Sequence, residues 1–193
     1  MSIKTMDYVR LPLAEVLDEA DAIAADANTL FGHLNAQQIN WKPSADRWSV
    51  AQCLEHLITI NRKYYPQFDQ IIKGEKKTTL WQRMPVLPSL FGRMMVKALS
   101  PNFNQKLKAP EIARPSRGTI DPQIVNRFVE HQSELMAKFR AMERLDLAKI
   151  IITSPFVKAL TYSVLDTGRL LVAHERRHFA QAQRVMETVG FPK

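Results

Sequence analysis

Two histidines near the C-terminal end of the chain, His174 and His178, enclose the sequence HERRH. Residues four apart on an α-helix share one face, so this spacing directs both imidazoles towards one point. The letters also match H-E-x-x-H, in which two imidazoles bind zinc and the adjacent glutamate, here Glu175, acts as a base. The pattern is compatible with a metalloprotease helix, with part of another metal site, or with an ordinary charged helical turn.

The metalloprotease interpretation requires more chain than follows the motif. The 15 residues after His178 contain neither histidine nor aspartate, and their one acid, Glu187, belongs to the same helix. No strands are predicted to support a cleft. We therefore expect no metalloprotease. Glu175 stays a candidate catalytic base near a metal, the alternative being a solvated glutamate beside Arg176 and Arg177.

A third histidine, His56, lies on the inward stripe of an earlier predicted helix. Any one of these residues alone would be an ordinary core histidine hydrogen-bonded to a carbonyl or carboxylate. Together, His56, His174 and His178 allow a three-histidine site with one open position, the arrangement expected of catalytic zinc and similar metals. His131 also faces inward, either as pocket lining or as plain core.

Four long helices are expected to position these side chains. Ser49 and Gln52 form a capping box that starts the second helix, and Asp121 and Pro122 start the third. Strand-like alternation appears nowhere over a useful length, and residues 149–153 are too short to build a sheet. The predicted helices run over residues 11–34, from Ser49 to near Gly74, from Asp121 to about 145, and over about 163–189, before Gly190.

The fold class predicted is all-α, a four-helix bundle within a single domain, 1–193. The connections between the first and second and between the third and fourth helices are predicted to be short. A long crossover connection joins helices 2 and 3, so these two helices are expected to run parallel.

Composition limits the class of protein. The chain has 193 residues, is 46% hydrophobic and contains only six glycines, which is typical of a folded globular domain. Charges interrupt every apolar run, so no membrane span is expected, and the first 20 residues do not resemble a signal peptide. A single cysteine, Cys53, excludes an internal disulfide and favours a cytoplasmic location.

The net charge of +8 is confined to the long connection. Residues 73–117 hold ten Lys/Arg and two acids, which leaves 17 of each for the rest of the chain. Prolines exclude one long helix across residues 75–120, although 89–99 can form a short basic amphipathic helix. We call residues 75–120 the insert and expect its apolar side chains, Phe91, Met94 and Met95 among them, to be packed at least in part.

Two stretches of the chain resemble a known family. INWKPSADRWSVAQCLEHL at 39–57 and LLVAHERRHFAQAQRVM at 170–186 are similar to the corresponding turns of the DinB/YfiT-like superfamily. The resemblance implies a four-helix bundle that binds a divalent metal through one histidine of the second helix and two of the fourth. In this chain these ligands fall on His56, His174 and His178. The insert is longer than the family's connection is expected to be.

The resemblance also implies an enzyme. A three-histidine site holding Zn, Ni, Fe or Mn keeps an open position and lowers the pKa of bound water or thiol, which favours a thiol-dependent S-transferase or a metal-dependent hydrolase. The small-molecule substrate would then react with a low-molecular-weight thiol, whose anionic groups the basic insert can attract.

A non-enzymatic binding or interaction protein is the alternative function. Here the histidines are structural and the basic 73–117 segment is the working surface for a partner or an anionic membrane face. Nucleic acid is a weak candidate, because no recognised motif accompanies the charge. The segment around Phe91, Met94 and Met95 is a candidate contact for a homodimer.

Overall fold

The computed structural model describes residues 6–84, 86–103 and 109–193. These ranges are mostly helical, which confirms the all-α class. Within them, no helix combines the length and the apolar character needed to cross a bilayer. The helices are α1 (Leu13–Phe31), α2 (Ala36–Asn40), α3 (Val50–Arg62), α4 (Tyr65–Ile72), α5 (Leu87–Leu99), α6 (Ile124–Ala141) and α7 (Val164–Met186), with 3₁₀ turns at Tyr8–Arg10, Trp81–Arg83 and Glu111–Ala113.

The four-helix core consists of α1, α3, α6 and α7. Helices α1 and α3 each pack against both α6 and α7. The ring of Tyr65 stacks on His131, and the ring of Phe68 meets that of Phe139 with centroids 5.2 Å apart. Residue numbers therefore rise together along α4 and α6, so these helices run parallel and the predicted crossover connection is confirmed.

The first helix follows its apolar spacing. Its inward residues recur three or four positions apart, so one face enters the core while the other carries acids and amides. Leu11 and Leu34, which were predicted to lie within this helix, are buried just outside its two ends. The buried residues of α1 are Val16, Ala20, Ile23, Ala27 and Phe31.

The second predicted helix is divided in two. Its capping box is confirmed, since Ser49 Oγ accepts from the Gln52 amide and Gln52 Oε1 accepts from the Ser49 amide, both at 3.2 Å. The continuous helix expected as far as Gly74 is interrupted between α3 and α4. Pro66 explains the break, because it has no N–H to donate to the carbonyl of Arg62 and its ring crowds that carbonyl.

The third helix begins later than its sequence signal indicated. Asp121 Oδ1 accepts from the amide of Gln123 at 2.9 Å, and the Asp121 carbonyl accepts from Ile124 at the same distance. These bonds form a turn ahead of α6, which starts at Ile124. The observed cap is Gln123, so the predicted cap at Asp121 lies about half a turn too early.

The connection between α6 and α7 contains a β-ribbon that the sequence pattern did not reveal. Strands β1 (Ile151–Thr153) and β2 (Thr161–Ser163) pair antiparallel, with Ile152 opposite Tyr162. The prediction of a short, strand-free link was therefore wrong. Each strand is only three residues long, too short for alternation to be visible. The ribbon is held to the bundle by a 2.7 Å hydrogen bond between the hydroxyls of Tyr162 and Tyr64.

The insert is packed against the bundle through α5, which confirms the predicted short helix at 89–99. Helix α5 lies along α7 and β2. The two helices approach closely at Gly92, where a Cβ atom would lie 2.5 Å from Oδ2 of Asp166 and 3.0 Å from its Cβ. Three residues counted in the insert at the sequence level, Pro85, Lys106 and Lys108, lie outside the described residues.

The close approach at Gly92 predicts a destabilised Gly92→Ala variant. Helix propensity alone favours alanine by about 1 kcal/mol, whereas overpacking costs about 1–3 kcal/mol, so we expect a net loss of up to about 2 kcal/mol. The free energy of unfolding in urea measures it. Gly118→Ala is the matched control, since nothing lies within 4 Å of a Cβ there. A Gly92→Ala variant at least as stable as the wild type would contradict the packing of α5 on α7.

Candidate metal centre

Helix α7 supplies two side chains to a buried group of imidazoles. The helix starts at a Ser163 cap, whose Oγ accepts from the Asp166 amide at 2.9 Å. One turn apart on its inner face, His174 and His178 bring their Nε2 atoms to within 3.1 Å of each other. Both residues are buried.

Helix α3 supplies the third imidazole, that of His56. Its Nδ1 lies 2.5 Å from the carbonyl oxygen of Ala113, in the insert. A carbonyl only accepts, so Nδ1 carries the proton and Nε2 keeps its lone pair. The ligand atoms of His56, His174 and His178 all lie within 4.8 Å of one another.

The three imidazoles have the chemistry and spacing of a divalent-metal site. Two nitrogens bound to zinc at about 2.05 Å and at the tetrahedral angle lie about 3.3 Å apart, close to the 3.1 Å between His174 and His178. Burial lowers the pKa of His56 and lowers those of His174 and His178 further. The imidazoles are therefore neutral at physiological pH, the form that binds metals. These three buried histidines can hold a metal ion.

The indole of Trp48 covers one side of this group. Its ring stacks on His178 at a centroid distance of 5.7 Å and lies 4.8 Å from that of His56. Trp48 is half-buried. The structure thus places Trp48 against two of the three imidazoles.

Comparison with known proteins identifies the family of this chain. The family model described as the DinB superfamily matches residues 19–182, which include all three histidines. This chain belongs to the DinB superfamily. It is also 21% identical over 157 residues to the uncharacterized protein YuaE of Bacillus subtilis (strain 168), covering 81% of this chain and 88% of YuaE. No solved structure matches the chain with significance.

The insert of this DinB-superfamily chain fixes the site from two sides. Besides the Ala113 carbonyl, Ser116 meets α3: its amide donates to Glu55 Oε2 at 2.6 Å, and its carbonyl accepts from Gln52 Nε2 at 2.7 Å. On α7, Arg177 Nη1 donates to the carbonyl of Ala98 at 3.0 Å. The part of the insert that makes these contacts is thus packed against the two helices that carry the imidazoles.

Glu175 makes its hydrogen bond inside the bundle, to a side chain of α3. It is fully buried, and its Oε1 accepts from Asn61 Nδ2 of α3 at 2.7 Å. Burial raises the pKa of Glu175 to about 7. Among the described residues, the group of ligand atoms that can hold a metal does not include its carboxylate. The interpretation of Glu175 as a solvated surface glutamate is therefore wrong.

His131 belongs to a separate polar contact on α6. Its Nδ1 lies 3.1 Å from the hydroxyl of Tyr65, and its ring stacks on that of Tyr65. The side chain is buried, as predicted, but it does not join the three-histidine group. Cys53, one turn before His56, is also buried, which raises the pKa of its thiol to about 12 and keeps the thiol protonated.

The burial of His131 predicts a pH-dependent stability. Burial lowers its pKa from 6.5 to about 4, so the unfolded chain binds the proton more tightly, and stability present above pH 6.5 is lost as the pH falls towards 4. In His131→Phe, the decrease in unfolding free energy between pH 7 and pH 5 should be smaller by about 1–2 kcal/mol. Urea titrations at both pH values measure this. His33→Phe, an exposed position, should leave the decrease unchanged, and an unchanged decrease in His131→Phe would contradict the assignment.

Proposed function

We propose that this protein is a divalent-metal-dependent enzyme whose ion is held by His56, His174 and His178. The observation that carries the proposal is the convergence of three buried imidazoles, with ligand atoms within 4.8 Å of one another. Three protein ligands leave a fourth position for a substrate atom, as in catalytic rather than structural sites. Zn²⁺, Ni²⁺, Fe²⁺ and Mn²⁺ all accept imidazole ligands.

The chemistry supplied by such an ion is the activation of a bound nucleophile. A divalent ion lowers the pKa of a water or a thiol that binds to it towards neutrality. The residues of this chain orient the three imidazoles, shield them from water and keep them neutral, as metal binding requires. The carbonyl of Ala113 orients His56, Trp48 shields two of the imidazoles from water, and the surrounding core keeps all three rings neutral.

The reaction we propose is thiol-dependent S-transfer, with metal-dependent hydrolysis as the second possibility. Membership of the DinB superfamily supports both, and thiol transfer is the more frequent among its characterised members. The cosubstrate would be a low-molecular-weight thiol. Cys53 does not serve as the thiol, because it is buried and its raised pKa keeps it protonated. As the one cysteine of the chain, it supports a reducing, cytoplasmic compartment.

Glu175 takes a supporting role in this proposal. Its bond to Asn61 joins α7 to α3 within the bundle, next to the turn that carries His174. A carboxylate held in this direction steadies the two ligand-bearing helices against each other.

Metal content tests the site. Protein purified without added chelator should contain close to one equivalent of a transition metal, measured by inductively coupled plasma mass spectrometry. His56→Ala and His174→Ala should each lower the occupancy at least tenfold, because two remaining imidazoles hold an ion weakly. His131→Phe is the matched control, a buried histidine outside the group, and should keep the metal. Unchanged content in the first two variants would refute the site.

Turnover tests the reaction. The metal-loaded protein should accelerate the loss of a small thiol, such as cysteine, in the presence of an alkylating electrophile, followed by a colorimetric thiol assay. His174→Ala should lower the rate at least a hundredfold, whereas His33→Ala should not. Hydrolysis of an activated ester without any thiol would identify the hydrolase instead. A metal-bound protein inactive in both assays would contradict the enzymatic proposal.

A binding protein that uses the basic 73–117 segment is the second candidate. The observation that favours it is the exposure of apolar side chains within that segment, with Leu80 84% exposed, Val86 75% and Leu90 56%. Exposed apolar side chains amid positive charge are typical of surfaces that contact a partner. A homodimer contact through the same segment is part of this second candidate. Met94 is exposed and available for such a contact, whereas Met95 packs against the core.

A further inference from the structure

A cavity of about 770 Å³ lies at the N-terminal end of α7, apart from the histidines. Its walls come from α5, the Tyr8–Arg10 turn, β1 and the first turns of α7. Small-molecule sites typically enclose about 300–1,000 Å³, so the cavity has the size of a ligand site. None of the three candidate metal ligands lines it.

The charge of the cavity lining is positive. Four cationic side chains, those of Arg10, Arg93, Lys97 and Arg169, face two carboxylates. Both carboxylates are already paired: Asp7 lies 3.5 Å from Arg10, and Asp166 lies 2.9 Å from Arg169. Arg93 and Lys97 make no ion pair with any described residue, so two positive charges remain for a ligand.

Arg169 is fixed in an orientation suited to an anion. Its Nε donates to the carbonyl of Leu11 at 2.7 Å, and its Nη1 donates to Asp166 Oδ1 at 2.9 Å. Within the described chain, its Nη2 has no partner. The planar guanidinium is thus held on two sides and presents free N–H groups, which is how arginine binds phosphate and carboxylate oxygens.

The remaining wall of the cavity is apolar. Met84, Val86 and Pro88 line it from the insert, and Ile151 lines it from β1. An inorganic ion alone would leave these side chains facing solvent. The lining therefore suits a molecule that has both an anionic group and an apolar body.

The cavity and the imidazoles lie on different faces of one helix. Arg169 and His174 are five residues apart on α7, so they are separated by about 140° around its axis and about 7.5 Å along it. Occupancy of the cavity therefore does not require the metal, and removal of a histidine does not remove a cavity wall.

We propose that this cavity is a second binding site, for a small organic anion that carries a phosphate or carboxylate group on an apolar body. Arg93, Lys97 and Arg169 bind the anionic group, while Met84 and Val86 contact the apolar part. The site stands independently of the proposed enzymatic function, because none of its lining residues belongs to the metal centre.

Isothermal titration calorimetry with phenyl phosphate, benzoate and benzyl alcohol tests this site. The first two probes distinguish phosphate from carboxylate, and the third has the ring without the charge. We expect saturable one-to-one binding of one or both anions and none of the alcohol. Arg93→Gln/Lys97→Gln should weaken anion binding at least tenfold, and both positions are exposed, so the fold should be retained. Circular dichroism and the unliganded melting temperature verify this.

Two control variants distinguish binding in the cavity from binding elsewhere on the protein. Lys73→Gln/Lys77→Gln removes the same charge from exposed positions of the same chain region outside the cavity and should leave binding unchanged. His174→Ala should also bind the anion normally, which distinguishes the cavity from the metal centre. The proposal is overturned if neither anion binds, if the Lys73/Lys77 variant loses as much affinity as the Arg93/Lys97 variant, or if His174→Ala abolishes binding.

Discussion

The hydrogen bond from His56 Nδ1 to the carbonyl of Ala113 is the interaction on which the candidate metal centre depends. A neutral imidazole has one N–H, and only the other nitrogen has a lone pair to offer a metal. With its N–H donated to a carbonyl, His56 presents Nε2 to the rings of α7. Without that acceptor, the ring would bury an unpaired donor, at a cost of about 1–3 kcal/mol.

Because Ala113 lies in the insert, the same hydrogen bond gives this long, basic, proline-containing segment a structural role at the site. The backbone around Ala113 and Ser116 is held against α3, and the end of α5 is held against Arg177 of α7. The insert therefore joins the two helices that carry the imidazoles. The positive charge of the insert lies on side chains such as Arg93 and Lys97, which line the cavity, whereas its contacts with the helices of the site are made by backbone groups.

The parts of the fold that local spacing determines could be predicted from the sequence. The capping box of Ser49 and Gln52, the i, i+4 histidines and the inward face of α1 all rest on residues within a few positions of each other. The parallel arrangement of the helices on either side of the crossover was predicted from the length of the connection. The resemblance to a known family predicted that His56 joins His174 and His178 in one site.

The parts that were missed rest on other physical causes. Pro66 divides the second helix although the apolar stripe continues across it, so periodicity alone concealed the break. Each strand of the β-ribbon has only three residues, and the Tyr64–Tyr162 contact that holds the ribbon to the bundle joins distant parts of the chain, so neither leaves a local pattern. The acceptor of the His56 N–H is a backbone carbonyl. Every residue type has one, so the identity of residue 113 could not indicate this contact. The cavity likewise exists only where α5, β1 and the N-terminal turn meet.

The order of the ligands along the chain has a consequence for biosynthesis. During translation, N-terminal segments leave the ribosome first, and α3, which carries His56, precedes α7, which carries His174 and His178. A nascent chain that has emerged only as far as α3 therefore has one of the three imidazoles, and a single imidazole retains an ion poorly. An ion can be held at this centre only after α7 has been synthesised.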